Sequence, residues 1–315
     1  MPWHLPAGNR NRYLSLMIIL SLVIALVAER FLGPYLYLRQ FAWFEIYAQR
    51  LRARFKSNAF WNGPLGIVAT LALPLLGVAI MQQVLHGVVL NLFGLVFGVL
   101  MLLYCLGPRD LDADSEAYTA AVEEGDEARA QTAASDLLGG TAPPDPWTRT
   151  RAVTDAILSQ SNERLFGVVF WYAVLGPLGA ALFRLAAVMR DSALNDVGED
   201  VGYRVAALRL HYILGWLPAR LVALSYALSG SFEDAMQGMS DFKNSRHGEF
   251  TDANAGLLVC AGNGALRLDA DGLAPDEQSP EAHVTLVKAA LGLMWRTLVI
   301  WLGVLLLLSF AGWAR

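Results

Sequence analysis

Four stretches of this chain are apolar over nearly the length of a bilayer crossing, at about residues 13–32, 65–86, 88–106 and 290–313. A spanning helix needs about 20 such residues at 1.5 Å rise each, so each stretch is expected to form a transmembrane helix. The second and third meet across residues 82–88, which predicts an antiparallel hairpin. Two further apolar stretches, 164–189 and 211–229, are interrupted: the first carries Gly176-Pro177 and Arg184, the second Trp216-Leu217-Pro218-Ala219-Arg220. Freed backbone groups and charges survive at membrane depth only where protein or water satisfies them. The interruptions therefore predict two broken helices that dip into the membrane from the cytoplasmic side, a fifth and a sixth span being the alternative, with functional polar groups at the breaks.

Between residues 107 and 163 the pattern turns polar and acidic, with Asp110, Asp112, Asp114, Glu116, Glu123, Glu124, Asp126 and Glu127. Gly125-Asp126 separates two helix-forming runs, 116–124 and 127–138, and Asp126 is placed to cap the second, so an αα-hairpin is expected. The run GGTAPPDP (139–146) reads as a linker into a further helix at 147–162. Residues 230–289 are mixed polar with glycines and show no strand-like alternation. The expected fold is all-α and polytopic. It comprises an N-terminal membrane region (1–106), a cytoplasmic helical segment (107–163), a core with the broken helices (164–289) and a C-terminal transmembrane helix (290–315).

Composition agrees with the pattern. Over 315 residues the chain is 55% hydrophobic and 17% charged, with mean hydropathy +0.41, against about a quarter charged in soluble domains. The bilayer is thus an expected partner, and the net charge of −4 supplies no basic field for nucleic acid. Arg30, Arg39, Arg50, Arg52, Arg54 and Lys56 crowd the loop after the first run, opposed by Glu45 alone. The positive-inside rule puts that loop in the cytoplasm, and counting spans puts 107–163 there and both termini outside. Within the loop (33–63), Tyr37, Phe41, Phe44, Ala48, Leu51 and Phe55 recur at helical spacing, which predicts an amphipathic helix lying in the membrane interface. The run from Leu14 to Ala28 is read as a retained span and not a cleaved leader.

Candidate chemistry is sparse. No phosphate loop, nucleophile elbow or helical H-E-x-x-H is present. Cys105 and Cys260 read as small packing groups. The five histidines are scattered, so no metal site is expected. Gly262-Asn263-Gly264 reads as a turn or a close helix contact.

FGVVFWYAVLGPLGAALFRL (Phe166–Leu185), Arg190-Asp191-Ser192, Val201-Gly202-Tyr203-Arg204, Trp216-Leu217-Pro218-Ala219-Arg220-Leu221 and Asn254-Ala255-Gly256 occur in that order. The combination resembles the CobD/CbiB membrane family, which unites adenosylcobinamide-phosphate synthases with AmpE-like proteins, over about residues 88–270. Tyr104–Leu111 (YCLGPRDL) is similar to the AmpE-like branch. That branch implies a multi-pass protein of the bacterial inner membrane that modulates β-lactamase induction and senses cell-wall recycling.

The synthase branch is matched less well. Ser159-Gln160 stands where that branch has Glu-Asn, Glu163 where it has an aspartate, His211-Tyr212 where it has paired aspartates, and Asn254–Val259 departs from its Asn-Ala-Gly-Trp-Pro-Glu. ATP-dependent amide formation needs carboxylates to hold magnesium and direct proton transfer. Their loss implies a ligand-binding pocket without ligase chemistry, and no amide formed from cobyric acid and an aminopropanol. Under this reading no cofactor is expected, and ATP and magnesium enter only under the alternative, a synthase-type ligase; a transporter is a third reading. The resemblance places the site at Glu163, Trp171, Tyr172, Arg184, Asp191, Ser192, Arg204, Trp216, Arg220 and Asn254. Asp191 and Arg220 are expected to share one polar site. The arginines suit an anionic small molecule, and a homo-oligomer is compatible with the sequence.

Overall fold

The computed structural model describes residues 19–28, 41–55, 61–85, 92–106, 111–195, 201–244, 252–268 and 279–310. Among them every regular element is helical: α1 (Ile19–Ala28), α2 (Ala42–Phe55), α3 (Pro64–Leu85), α4 (Leu92–Cys105), α5 (Leu111–Glu123), α6 (Glu127–Leu138), α7 (Pro146–Ser161), α8 (Gly167–Leu175), α9 (Pro177–Asn195), α10 (Val201–Ser229), α11 (Phe232–Asn244), α12 (Ala253–Ala265) and α13 (Pro280–Phe310). A π-helical turn, Asn162–Phe166, follows α7.

Four firm spans were expected; among the described residues two helices, α3 and α13, are long and apolar enough to cross a bilayer. Only 22% and 28% of their most apolar windows are buried. Leu65, Val68, Leu73, Leu76, Ile80 and Val84 of α3 all face outward, as a lipid-facing helix requires and a soluble core helix does not. α1 and α4 are apolar but shorter.

The helices form two compact units. The first takes residues 1–108, 167–215 and 302–315. In it α9 packs on α3 and α4, and α8 packs on α9. The expected break at Gly176-Pro177 is present: Gly176 adopts φ +66°, ending α8, and Pro177 opens α9. A Cβ on Gly179 would sit 2.0 Å from the Trp171 carbonyl oxygen. Residues eight apart on a straight helix are about 12 Å apart, so the chain doubles back here.

The second interruption was expected to break its helix as well, and does not: α10 runs unbroken through Pro218. Proline removes the N–H that would bond the carbonyl four residues earlier. That acceptor, Leu214 O, instead receives the Trp171 indole N–H at 3.0 Å. At the start of α10, the Tyr203 N–H donates to Asn62 Oδ1 at 3.0 Å, which satisfies an end group that helix geometry leaves open. A side chain on Gly202 would collide with the Asn62 backbone, which explains the glycine.

α2 also departs from expectation. Its aromatic face was expected to lie in the membrane interface; Phe41 and Phe44 are instead buried in a cluster with Trp61, Ile67, Leu71, Leu185, Met189 and Tyr203. The wide apolar stripe meets α3 and α9 of its own unit.

The second unit comprises residues 109–166 and 216–301. The expected αα-hairpin is α5 and α6. Gly125 turns the chain at φ +72°, Asp126 Oδ1 accepts the Arg129 N–H, and Gly139 ends α6 at φ +68°. Asp145 caps α7, its Oδ2 accepting both the Thr148 N–H (2.8 Å) and hydroxyl (2.7 Å). These bonds hold the Asp145 carboxyl below its ordinary pKa. The region 230–289 yields α11 and α12, and α13 begins at Pro280, ten residues before the expected start of that helix. α11 and α12 touch backbone to backbone. A Cβ on Gly238 would lie 2.4 Å from Cys260 O, and one on Gly264 2.3 Å from Asp234 O. Gly262-Asn263-Gly264 is therefore a close helix contact.

Candidate functional site

In the second unit α7 ends irregularly. The Asn162 N–H turns to the Ser159 carbonyl and the π turn begins. Leu158 O receives two hydroxyls there, from Ser161 at 2.9 Å and from Tyr226 of α10 at 2.9 Å. Tyr226 is fully buried and also lies 2.7 Å from the Ser161 hydroxyl. Single π turns inside helices occur often at functional sites, because the extra residue re-aims side chains. The residue in this turn that carries chemistry is Glu163.

A second carboxylate meets it. Asp252 is the N-cap of α12, its Oδ1 accepting the Asn254 N–H at 2.8 Å. Ligand oxygens of Glu163 and Asp252 lie within 4.8 Å of one another. Two like charges about 5 Å apart repel by about 3 kcal/mol at an effective dielectric constant of 20, so the pair favours a cation or a shared proton. Two oxygens on opposite sides of one magnesium would be about 4.2 Å apart, a spacing within reach of two carboxylates whose oxygens lie within 4.8 Å of one another. Of this pair, Glu163 stands where the synthase branch has an aspartate, and Asp252 is a carboxylate that the family motifs did not point to.

Arg220 belongs to the same unit. Its guanidinium stacks 3.9 Å from the Trp216 ring centroid, donates to the Trp216 carbonyl at 2.9 Å and reaches Asn254 Oδ1 at 3.4 Å. Asn254 is buried in the first turn of α12, two residues after Asp252. α12 is held on α7 by Asn263 Nδ2, which donates to Asp155 at 3.0 Å, and by the fit of Gly262 against Leu158. One rigid frame of α7, α10 and α12 thus carries an acidic pair and a pre-oriented guanidinium.

The other expected site residues belong to the first unit. Trp171 serves the Leu214 carbonyl. Tyr172 is buried, hydrogen-bonded to Ser21, with its hydroxyl where a Cβ on Gly98 would fall. Arg184 is buried with its guanidinium 5.5 Å from the Phe41 ring centroid. Asp191 is exposed and paired with its neighbour Arg190 at 2.7 Å; Ser192 and Arg204 are half-buried. His211 is buried, with its ring 5.7 Å from that of Phe183 and Nδ1 3.5 Å from Arg190. The expected Asp191–Arg220 pair thus joins residues of different units, each with partners in its own. Asp252 was missed by sequence reasoning. The signal available was an aspartate directly before Ala253-Asn254, in N-cap position for the helix those residues open.

Comparison with known proteins relates the sequence to one family. The model of the family described as CobD/Cbib protein matches residues 22–290. A curated relative from Stutzerimonas stutzeri, named cobalamin biosynthesis protein CobD, is 28% identical over 94% of this chain and 98% of its own length. Proteins of the same name from Chromobacterium violaceum (31% identity, 58% of each chain) and Pelobacter propionicus (28%, 42% of each) are also similar. No solved structure matches. The expected AmpE-like role in β-lactamase induction is overturned by these relatives, all of which bear the cobalamin name. With its motifs in order and 22–290 matched from end to end, the chain belongs to the CobD/CbiB family.

Proposed function

We propose that the protein is an adenosylcobinamide-phosphate-synthase-type ligase of cobalamin biosynthesis, forming an amide from a corrinoid carboxylic acid and an aminopropanol at the expense of ATP. The observation that carries this reading is the Glu163–Asp252 pair, which supplies in one unit the carboxylates such chemistry needs. The full-length match to a protein named for cobalamin biosynthesis supports it. Glu163 and Asp252 would hold magnesium; the ion, when bound, neutralises charge on the nucleotide's phosphates. Arg220 binds an anionic group, carboxylate or phosphate, with its planar fork held by the Trp216 ring and Asn254. The Asp252 cap fixes the distance between the acidic pair and Asn254.

We further propose that the chain is a multi-pass protein of the bacterial inner membrane, with α1 and α4 crossing as well as α3 and α13, and with most of the polar mass facing the cytoplasm. The outward aliphatics of α3 and the basic loop before it support this.

The test is direct. Purified protein is incubated with adenosylcobyric acid, an aminopropanol, ATP and magnesium, and the product is followed by mass. Condensation, read as the sum of acid and amine less one water, is expected. Folded protein that makes no such product, with either the free or the phosphorylated amine, would overturn the ligase.

A further inference from the structure

The buried face of α2 leaves its other face outward. Trp43 and Ile46 are exposed at 49% and 47%, and Arg50 and Arg54 are exposed as well. At 100° per residue, positions 43, 46, 50 and 54 fall within an arc of about 80°. Glu45, the one acid of α2, lies on the other side of the helix. The stripe runs from two large apolar side chains to two guanidinium groups. It is held rigidly: the Trp43 indole donates to the Tyr104 hydroxyl at 2.7 Å, Phe44 is buried in the cluster shared with α3, and Arg52 on the flank stacks over Tyr203 at 5.4 Å.

We propose that this stripe is a binding surface for anionic phospholipid headgroups. Trp43 and Ile46 enter the boundary between acyl chains and headgroups, as amphipathic aromatic and aliphatic groups do at that depth. Arg50 and Arg54 take the phosphates. Two observations select this occupant. The two charges on the stripe are both basic and complement an anionic leaflet, and the stripe is carried by the helix packed against α3, whose aliphatics face outward. The proposal is independent of the ligase reading.

Native mass spectrometry of the full-length protein in neutral detergent, titrated with phosphatidylglycerol or phosphatidylcholine, tests it. Each basic residue at an anionic surface contributes on the order of 1 kcal/mol, so Arg50→Gln/Arg54→Gln should weaken retention of phosphatidylglycerol about thirty-fold. Phosphatidylcholine retention should not change, and Arg50→Lys/Arg54→Lys should keep most of the phosphatidylglycerol affinity. Thermal unfolding without added lipid checks that the variants are folded. Equal retention of the two lipids by the unsubstituted protein, or an unchanged phosphatidylglycerol titration in the Gln variant, would overturn the proposal. So would self-association lost in the Gln variant without lipid dependence, which would assign the face to a second copy.

Discussion

The Trp171 indole N–H donates at 3.0 Å to the Leu214 carbonyl, the acceptor that Pro218 leaves without its helical partner. A side chain from α8 thus repairs α10, and the tryptophan read as a pocket wall is structural. Trp171→Phe should lower stability by about 1 to 3 kcal/mol, the cost of leaving a buried polar group unmet. Pro218→Ala restores the backbone donor, so Trp171→Phe should cost less in that background. A double-mutant cycle on thermal unfolding measures the coupling; additive losses would show that the two residues act separately.

Asp252 should separate structure from chemistry. Asparagine caps a helix about as well as aspartate, so Asp252→Asn should leave the melting temperature near that of the unsubstituted protein while abolishing amide formation. Asp252→Ala should lose activity and about 1 kcal/mol of stability as well. Glu163→Gln, which relieves the repulsion, should be inactive and no less stable. Activity retained in Asp252→Asn would remove the acidic pair from the mechanism.

Tyr226 is expected to set the π turn. Tyr226→Phe deletes the hydroxyl that Leu158 O and Ser161 share, and should cost about 1 to 2 kcal/mol. Because Glu163 sits in that turn, the variant should also turn over more slowly, read as a fall in kcat at saturating magnesium. An unchanged rate would mean that Glu163 is positioned without it.

Gly264→Ala puts a Cβ 2.3 Å from the Asp234 carbonyl oxygen. With backbone on both sides, the helices must separate, at about 1 to 3 kcal/mol. Protease sensitivity of α11 and α12 should rise in parallel.

Acid should loosen α7 through Asp145. Its carboxyl titrates below the ordinary value because Thr148 donates two hydrogen bonds to the ionised form. The cap's contribution is thus present above the unfolded pKa, about 3.9, and is lost as pH falls through the lower folded value. Asp145→Asn should flatten this part of the stability profile below about pH 5; an unchanged profile would assign the acid loss elsewhere.

Some of this was legible in the sequence because its causes are local. The apolar lengths of α3 and α13, the Asp126 cap with Gly125 before it, and the Gly176-Pro177 break all follow from rules a few residues wide. What was hidden depends on distant partners. Pro218 reads as a breaker unless Trp171 is known to replace its donor. Gly262-Asn263-Gly264 reads as a turn or a close helix contact, and which of the two it makes is decided by the facing helix. The aromatic stripe of α2 gave its periodicity correctly, but not whether protein or lipid covers it. Glu163 and Asp252 stand in different segments, and no local pattern announces that a π turn and a helix cap will bring them together.

α13 has 31 residues and extends about 46 Å, whereas the hydrocarbon core of a bilayer is about 30 Å thick. With its apolar end embedded in such a bilayer, about ten residues would stand clear in water. Those residues carry His283 and Lys288, bonded to Thr150 of α7 and Glu123 of α5, and just beyond them the Trp295 indole meets Asp112. α5 and α7 are thereby fastened to a rod whose depth in a bilayer would be set by hydrophobic matching. A thicker bilayer would draw more of that rod inward, and the standoff of α5 and α7 from the membrane surface becomes a property of lipid composition.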